Sequence, residues 1–245
     1  MSDILDRLEQ LEADVRYNDP PADGGRPYRH TPGRLPVLLS APHGAAHRRD
    51  GRYKEEDEYT AAIARLVAER TGAHVLYACA RSDSDPNWDA ESPYKTTLRE
   101  IVAEHGVRFV ADIHGMGNRH KFGVAVGTMC GASCPAGHEA LIADTLVKSG
   151  FSPTTAEEAR TFAGLRWERF IVNHVRFTGG LYNHTVTRYA AERLGVHAAQ
   201  FELCATLRIV RRRGSEKWPR EFRGDPAGIA RAVAAFERLV LALGA

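Results

Sequence analysis

The sequence predicts a single α/β domain, a mixed and mostly parallel sheet with helices on both faces. Three observations carry this. Short apolar runs alternate with segments of helical periodicity along the chain. The runs are bounded by Pro and Gly and read as strands buried on both faces. At 245 residues, with 43% hydrophobic and 26% charged content, the chain is long enough to bury a large core.

Ile4, Leu8, Leu11 and Val15 share one helical face, with Ser2 or Asp3 as the cap. The stretch Asn18-Asp19-Pro20-Pro21-Ala22-Asp23-Gly24-Gly25 ends that helix as a loop. Residues 1–34 are therefore expected to be an N-terminal helix and loop ahead of a main domain at 35–245. The first strand of that domain spans 35–41 and leads into Pro42-His43-Gly44. A helix near 56–70 follows, apolar at Ala62, Ile63, Leu66 and Val67 and stopped by Gly72. A strand at 74–80, a helix at 94–104 stopped by Gly106, and a strand at 107–113 come next. The last of these runs into His114-Gly115. A strand at 122–126 precedes a helix at 136–147, with Gly150 beyond its end. The pattern over 151–180 is too weak to assign. A helix at 185–194 and a strand at 196–204, interrupted by Glu202, follow. Asp225-Pro226 is an N-cap with proline in the first turn, and its helix runs to about Leu243.

Composition excludes several classes. A net charge of +2 is low for a nucleic-acid binder. The basic stretch Arg208, Arg211, Arg212, Arg213 and Lys217 lacks an aromatic platform and reads as a solvated loop. Residues 1–10 do not resemble a secretory signal, and no apolar run approaches the roughly 20 residues that span a bilayer. Cys79, Cys130, Cys134 and Cys204 are irregularly spaced and read as reduced, structural thiols. The expectation is a cytoplasmic protein whose partner is a small-molecule substrate, with no nucleic acid and no membrane. Nothing in the sequence sets the oligomeric state.

His43 and His114 each end a strand, and ligands of open α/β sheets bind outside those carboxyl ends. Two imidazoles there can share one metal ion. A catalytic zinc takes about three His or carboxylate ligands and keeps a position for water. Lys54-Glu55-Glu56-Asp57-Glu58 returns to the same edge and offers the third, while otherwise complementing a helix dipole. Glu202 lies within an apolar strand, where an acid needs a partner; beside a metal it is a candidate general base. Arg81, directly after the second strand, can meet an oxyanion or a substrate carboxylate. His120 and His184 are further candidates to line the cleft, and Gly179-Gly180 allows close approach of the backbone to a substrate.

In this order the motifs resemble the N-formylglutamate amidohydrolase family, relatives of the zinc carboxypeptidases and aspartoacylase. They are Ser40-Ala-Pro-His-Gly44, Glu56-Asp57 with Thr60, Arg81 to Asn87, Asp112-Ile-His-Gly115, Gly127-Thr128 and Gln200-Phe-Glu-Leu203. The resemblance implies a phosphorylase/hydrolase-like, zinc-carboxypeptidase-like fold and a single Zn²⁺. It implies His43 and His114 as ligands with Glu56, Asp57 being the alternative. It further implies Glu202 as base, Arg81 as an oxyanion or substrate contact, and hydrolysis of an amide C–N bond in a small N-acyl amino acid or related amide. Asn87 falls at the substrate. Relatives often carry Asp-x-Asn-Arg, the arginine binding a substrate carboxylate, whereas this chain has Asp85-Pro86-Asn87-Trp88. Either Lys95, Arg99, Arg119 or Arg176 replaces that charge or the substrate lacks that carboxylate, and Gly180 is a candidate to approach the substrate.

Overall fold

Eight strands form one sheet in the computed structural model, which describes residues 2–22, 24–212 and 221–245. In chain order the elements are α1 (Ser2–Ala13), β1 (Tyr28–Thr31), β2 (Val37–Ala41), β3 (His47–Arg49), β4 (Arg52–Lys54), α2 (Thr60–Thr71) and β5 (His74–Ala78). They continue with α3 (Pro93–His105), β6 (Phe109–Met116), β7 (Phe122–Gly127), α4 (Ala136–Lys148), β8 (Ser152–Pro153), α5 (Ala156–Thr161) and β9 (Arg166–Val172). The last are α6 (Val186–Arg193), β10 (His197–Cys204), α7 (Ala205–Arg208) and α8 (Pro226–Gly244). The sheet order is β1-β5-β2-β6-β10-β7-β9-β8, with β3 and β4 forming a separate hairpin. Neighbours are parallel except β1 against β5 and β7 against β10. The fold class is the α/β arrangement the sequence predicts.

Alternation along the central strands positions the site. Odd-numbered residues of β2, β6 and β10, such as Leu39, Phe109 and Phe201, pack with α1, α2, α4 and α8 in the larger core. Even-numbered Leu38, Leu76, Val110 and Ala198 pack with Leu98 and Ile101 of α3 and Val186 and Ala190 of α6. Further toward the carboxyl ends this second face carries Ser40, Asp112, His114, Gln200 and Glu202. The parallel register sets Ser40 beside Asp112 and Glu202 beside His114.

Local signals close the elements. Gly72 and Gly106 cap α2 and α3 in the left-handed conformation. Ser92 accepts the Lys95 amide at the start of α3, and Asp225 accepts Gly228 N–H at 2.6 Å at the start of α8. Three features differ from the sequence expectation. Residues 28–31, assigned to a loop, form the antiparallel edge strand β1. Helix α2 starts at Thr60 rather than 56, because Tyr59 is held at φ 66° with its N–H on Glu12 Oε1. That leaves residues 55–58 as a loop across the sheet edge. The unassigned 151–180 region contains β8, α5 and β9, and α5 begins with a Thr155/Glu158 capping box. Of the basic stretch, Arg213 and Lys217 lie outside the described residues. Among the described residues, no helix is long and apolar enough to cross a membrane.

Candidate metal centre

His43 follows β2, His114 sits near the end of β6, and Asp57 lies on the loop before α2. The backbone brings the loop in: Asp57 N–H donates to His43 O at 2.7 Å. Asp57 Oδ2 lies 3.5 Å from His43 Nδ1 and 3.4 Å from His114 Nδ1. One donor atom from each of the three residues lies within 4.8 Å of the others. Glu56 is absent from this cluster. It lines the same cleft, with burial raising its pKa and Oε2 left without a hydrogen-bond partner. The geometry therefore brings Asp57, the alternative, to the histidines.

The far side of each ring meets a fully buried carboxylate. His43 Nε2–H donates to Asp85 Oδ1 at 2.8 Å, and His114 Nε2 lies 3.1 Å from Asp112 Oδ2. Asn87 Oδ1 accepts Val186 N–H at 2.8 Å, which places its amide nitrogen 2.8 Å from His114 Nε2 as well. At His114 Nε2 the Asp112 carboxylate favours a proton while the Asn87 amide N–H₂ favours a lone pair, so the two neighbours pull that ring's tautomer in opposite directions. With the proton on Nε2, as Asp85 holds it at His43, Nδ1 is the atom free to ligate, and at both rings it is Nδ1 that faces Asp57. Asp85 is itself held by Arg49 Nε–H at 2.7 Å and Asn87 N–H at 2.8 Å, with His47 Nε2 lying 3.3 Å away. Asp112 accepts the Ser40 hydroxyl at 2.9 Å and the Thr187 hydroxyl at 3.3 Å.

Charge follows from these contacts. Burial opposes protonation of His43, but hydrogen bonds to Asp57 and Asp85 outweigh it and raise its pKa. His114 is raised further, as Asp112 and Asp57 overcome its burial. Asp57 and Asp85 are held well below the usual carboxylate range despite burial, by the histidines they face. Two buried nitrogen donors and one ionised oxygen donor are a set suited to a divalent first-row ion.

Glu202 lies beside His114 on the same face, and its Oε1 accepts Gln200 Nε2–H at 3.3 Å. Burial lifts its pKa to about 7; His114 and His43 pull it down, while Asp57 and Asp112 push it up. A carboxylate with that affinity can hold or release a proton near neutrality. These groups line an open cleft of about 450 Å³.

The structure does not bring every sequence candidate here. Arg81 is outside the cleft lining, and its guanidinium donates to Asn18 O at 3.0 Å. Lys95, in the first turn of α3, is buried, its Nζ donating to the carbonyls of Asp89 and His184; burial lowers its pKa to about 8. Arg99 and His184 also lie outside the lining. Asn87, Arg119, His120, Arg176 and Gly180 line it. Gly180 has φ 126°, and a Cβ there would lie 2.3 Å from Thr185 Oγ1. Trp88 donates to Asp50 Oδ1 at 3.0 Å under the Arg49 guanidinium. Sequence reasoning assigned no role to Asp85, Asp112, Arg49 or Arg208. The Asp112-x-His114 spacing on a strand was the available signal for the second of these, because it puts both on one face.

No protein-family model and no curated protein matches the chain. Solved structures do. An N-formylglutamate amidohydrolase from Ralstonia eutropha JMP134 superposes with TM-score 0.59 at 16% identity, covering 89% of this chain and 97% of that one. A bacteriophage poly-gamma-glutamate hydrolase matches at TM-score 0.42 and 12% identity, covering 90% and 89%. A metallo-carboxypeptidase from Burkholderia cenocepacia matches at 0.41 and 12%, covering 98% and 68%. The first establishes a shared fold with the enzyme that the ordered motifs resemble.

Proposed function

We propose that the protein is a zinc-dependent amidohydrolase that cleaves the C–N bond of a small N-acyl amino acid or related amide. The observation that carries this is the pair of imidazoles, each backed by a buried carboxylate, whose Nδ1 atoms are turned with Asp57 toward one point beside Glu202. His43 Nδ1, His114 Nδ1 and an Asp57 oxygen would hold the ion. Zinc so bound supplies Lewis acidity, polarising the scissile carbonyl and acidifying water.

The chain's own groups do the rest. Asp85 holds the His43 ring through its Nε2, Asp112 and Asn87 flank His114 Nε2, and Arg49 and the Asn87 N–H hold Asp85 in place. Glu202 accepts the proton of the attacking water and passes it to the departing nitrogen, a transfer its pKa near 7 suits. Asn87 and the Gly180 backbone border the substrate. A cleft of about 450 Å³ matches a small molecule. Four free cysteines fit a reducing, cytoplasmic setting.

Turnover of zinc-loaded protein on a panel of N-formyl and N-acetyl amino acids and simple amides tests this, with Glu202→Gln as control. The expected result is hydrolysis by the wild type, and a variant that keeps zinc but loses turnover. Hydrolysis of no member, or equal activity in Glu202→Gln, would leave a metal-binding protein without this chemistry.

A further inference from the structure

The β3–β4 hairpin stands outside the eight-stranded sheet. Its turn, Asp50-Gly51, has both residues in the left-handed region, at φ 49° and 72°. Such a turn makes a tight two-stranded ribbon. Backbone bonds fasten the ribbon to the loop after β5. Arg48 N–H donates to Ser82 O at 3.1 Å, and Ser82 N–H donates to Ala46 O at 3.0 Å. That loop carries Asp85, Asn87 and Trp88.

The hairpin reaches the ligand candidate His43 by two routes. The first is His47, which is 3% exposed and lies flat on the His43 ring, with centroids 4.0 Å apart and planes 8° apart. Both of its nitrogens are buried without an aligned hydrogen-bond partner. His47 also offers a donor atom within 4.8 Å of His43 and Asp85. The Asp85 oxygens, however, are already taken by His43 Nε2–H, Asn87 N–H and Arg49 Nε–H. What His47 gives its neighbour is therefore a face. The second route is Arg49, which holds Asp85 at 2.7 Å, while Asp85 in turn holds His43. Trp88 locks that arginine. Its ring lies 5.1 Å from Arg49 Cζ, and its Nε1–H donates to Asp50 Oδ1 at 3.0 Å. Trp88 is outside the cleft lining, so its contacts serve the hairpin rather than a ligand.

We propose that the β3–β4 hairpin is a clamp on the metal edge of the sheet, with His47 and Trp88 as its positioning residues. His47 fixes the plane of His43, so that Nδ1 stays turned toward Asp57 before any ion arrives. Trp88 fastens the hairpin to the loop that supplies Asp85. An arginine at 88 would instead set a second cation against Arg49. The inference rests on the reading of His43 as a metal ligand.

Zinc competition against a chromophoric chelator, together with hydrogen exchange of the amides of residues 47–54, tests the clamp. Outer partners of a ligand are worth about 10- to 100-fold in affinity, and one that supplies only a packing face belongs near 10-fold. His47→Ala should show that loss. His47→Leu, which fills the space without a flat ring, should show it too. His47→Phe keeps the face and removes only nitrogens without partners, so it should stay within about 3-fold of the wild type. In the wild type, zinc should slow exchange across 47–54, because ordering His43 and ordering the hairpin are linked. Trp88→Ala and Trp88→Arg should abolish that protection while the proteins remain folded by circular dichroism. Unchanged affinity in His47→Ala and His47→Leu, or no zinc-dependent protection in the wild type, overturns the clamp and leaves the metal site standing. A loss in His47→Phe equal to that in His47→Ala also overturns it, making a His47 nitrogen the contributing group. A wild type that binds no zinc discards the metal site and the clamp together.

Discussion

Replacing Asp85 by Asn changes the charge and proton pattern around His43 while keeping the shape of the side chain. Asp85 is fully buried and serves three donors, His43 Nε2–H and Asn87 N–H on Oδ1, each at 2.8 Å, and Arg49 Nε–H on Oδ2 at 2.7 Å. An asparagine has one oxygen to offer. Oxygen toward Arg49 sets the amide N–H₂ against His43 Nε2 and Asn87 N–H and drives the ring proton onto Nδ1, the atom that should ligate; oxygen toward His43 sets the N–H₂ against the Arg49 guanidinium. Either orientation removes the carboxylate that holds the ring. Outer carboxylates of this kind are worth about 10- to 100-fold in metal affinity, or ~1.4–2.7 kcal/mol. The assay is zinc competition against a chromophoric chelator at neutral pH, with Asp83→Asn as a control. Asp83 is on the same loop with its side chain 87% exposed, and its replacement should leave affinity unchanged. If Asp85→Asn binds zinc as tightly as the wild type, the carboxylate does not set the tautomer and the proton-locking argument is wrong.

Glu202→Gln should lower kcat by roughly 10²–10⁴-fold, the usual contribution of a positioned general base, while metal content measured by mass spectrometry stays at the wild-type level. Zinc affinity should fall as pH falls, because the raised pKa values of His43 and His114 keep protons on the nitrogens the ion must occupy. Proton release detected calorimetrically in buffers of different ionisation enthalpy checks this, and an absence of release contradicts it. A separate cluster of His30, His74 and His105 should make the fold acid-sensitive. Burial and the neighbouring rings lower the pKa of His30 to about 4 and also lower that of His74, whose Nδ1 accepts Gly33 N–H at 3.0 Å. The unfolded chain thus binds more protons below about pH 6.5, so this cluster's contribution is present above that value and is lost as pH falls toward 4. His30→Asn should flatten the decline of Tm between pH 7 and 5; an unchanged slope would show that the cluster does not drive it.

The architecture was legible because buried parallel strands announce themselves as apolar runs between Gly and Pro, and because Gly72, Gly106, Ser92 and Asp225 mark helix ends locally. Edge strand β1 was not. Its sequence, Tyr28-Arg29-His30-Thr31, is mostly polar because one side faces water, and its pairing with β5 is a long-range fact. The two histidines and Glu202 could be placed at one sheet edge from strand ends alone. The choice between Glu56 and Asp57 could not, since it turns on where α2 begins, and the left-handed Tyr59 that delays it depends on Glu12 in α1. Arg81 was a candidate by proximity in sequence to the second strand, but its side chain leaves toward Asn18. Arg208 was hidden within a basic stretch whose solvated appearance concealed one residue folded back over Gly115.

Anomalous diffraction at the zinc edge from crystals of the zinc-loaded protein tests the central claim most directly. The account predicts one peak per chain in the cleft, about 2.0–2.2 Å from His43 Nδ1, His114 Nδ1 and an Asp57 oxygen, as zinc–nitrogen and zinc–oxygen bonds require. Both Nε2 atoms should remain on Asp85 and Asp112. A peak ligated through either Nε2, a peak held by Glu56 in place of Asp57, or no peak in the cleft would contradict it.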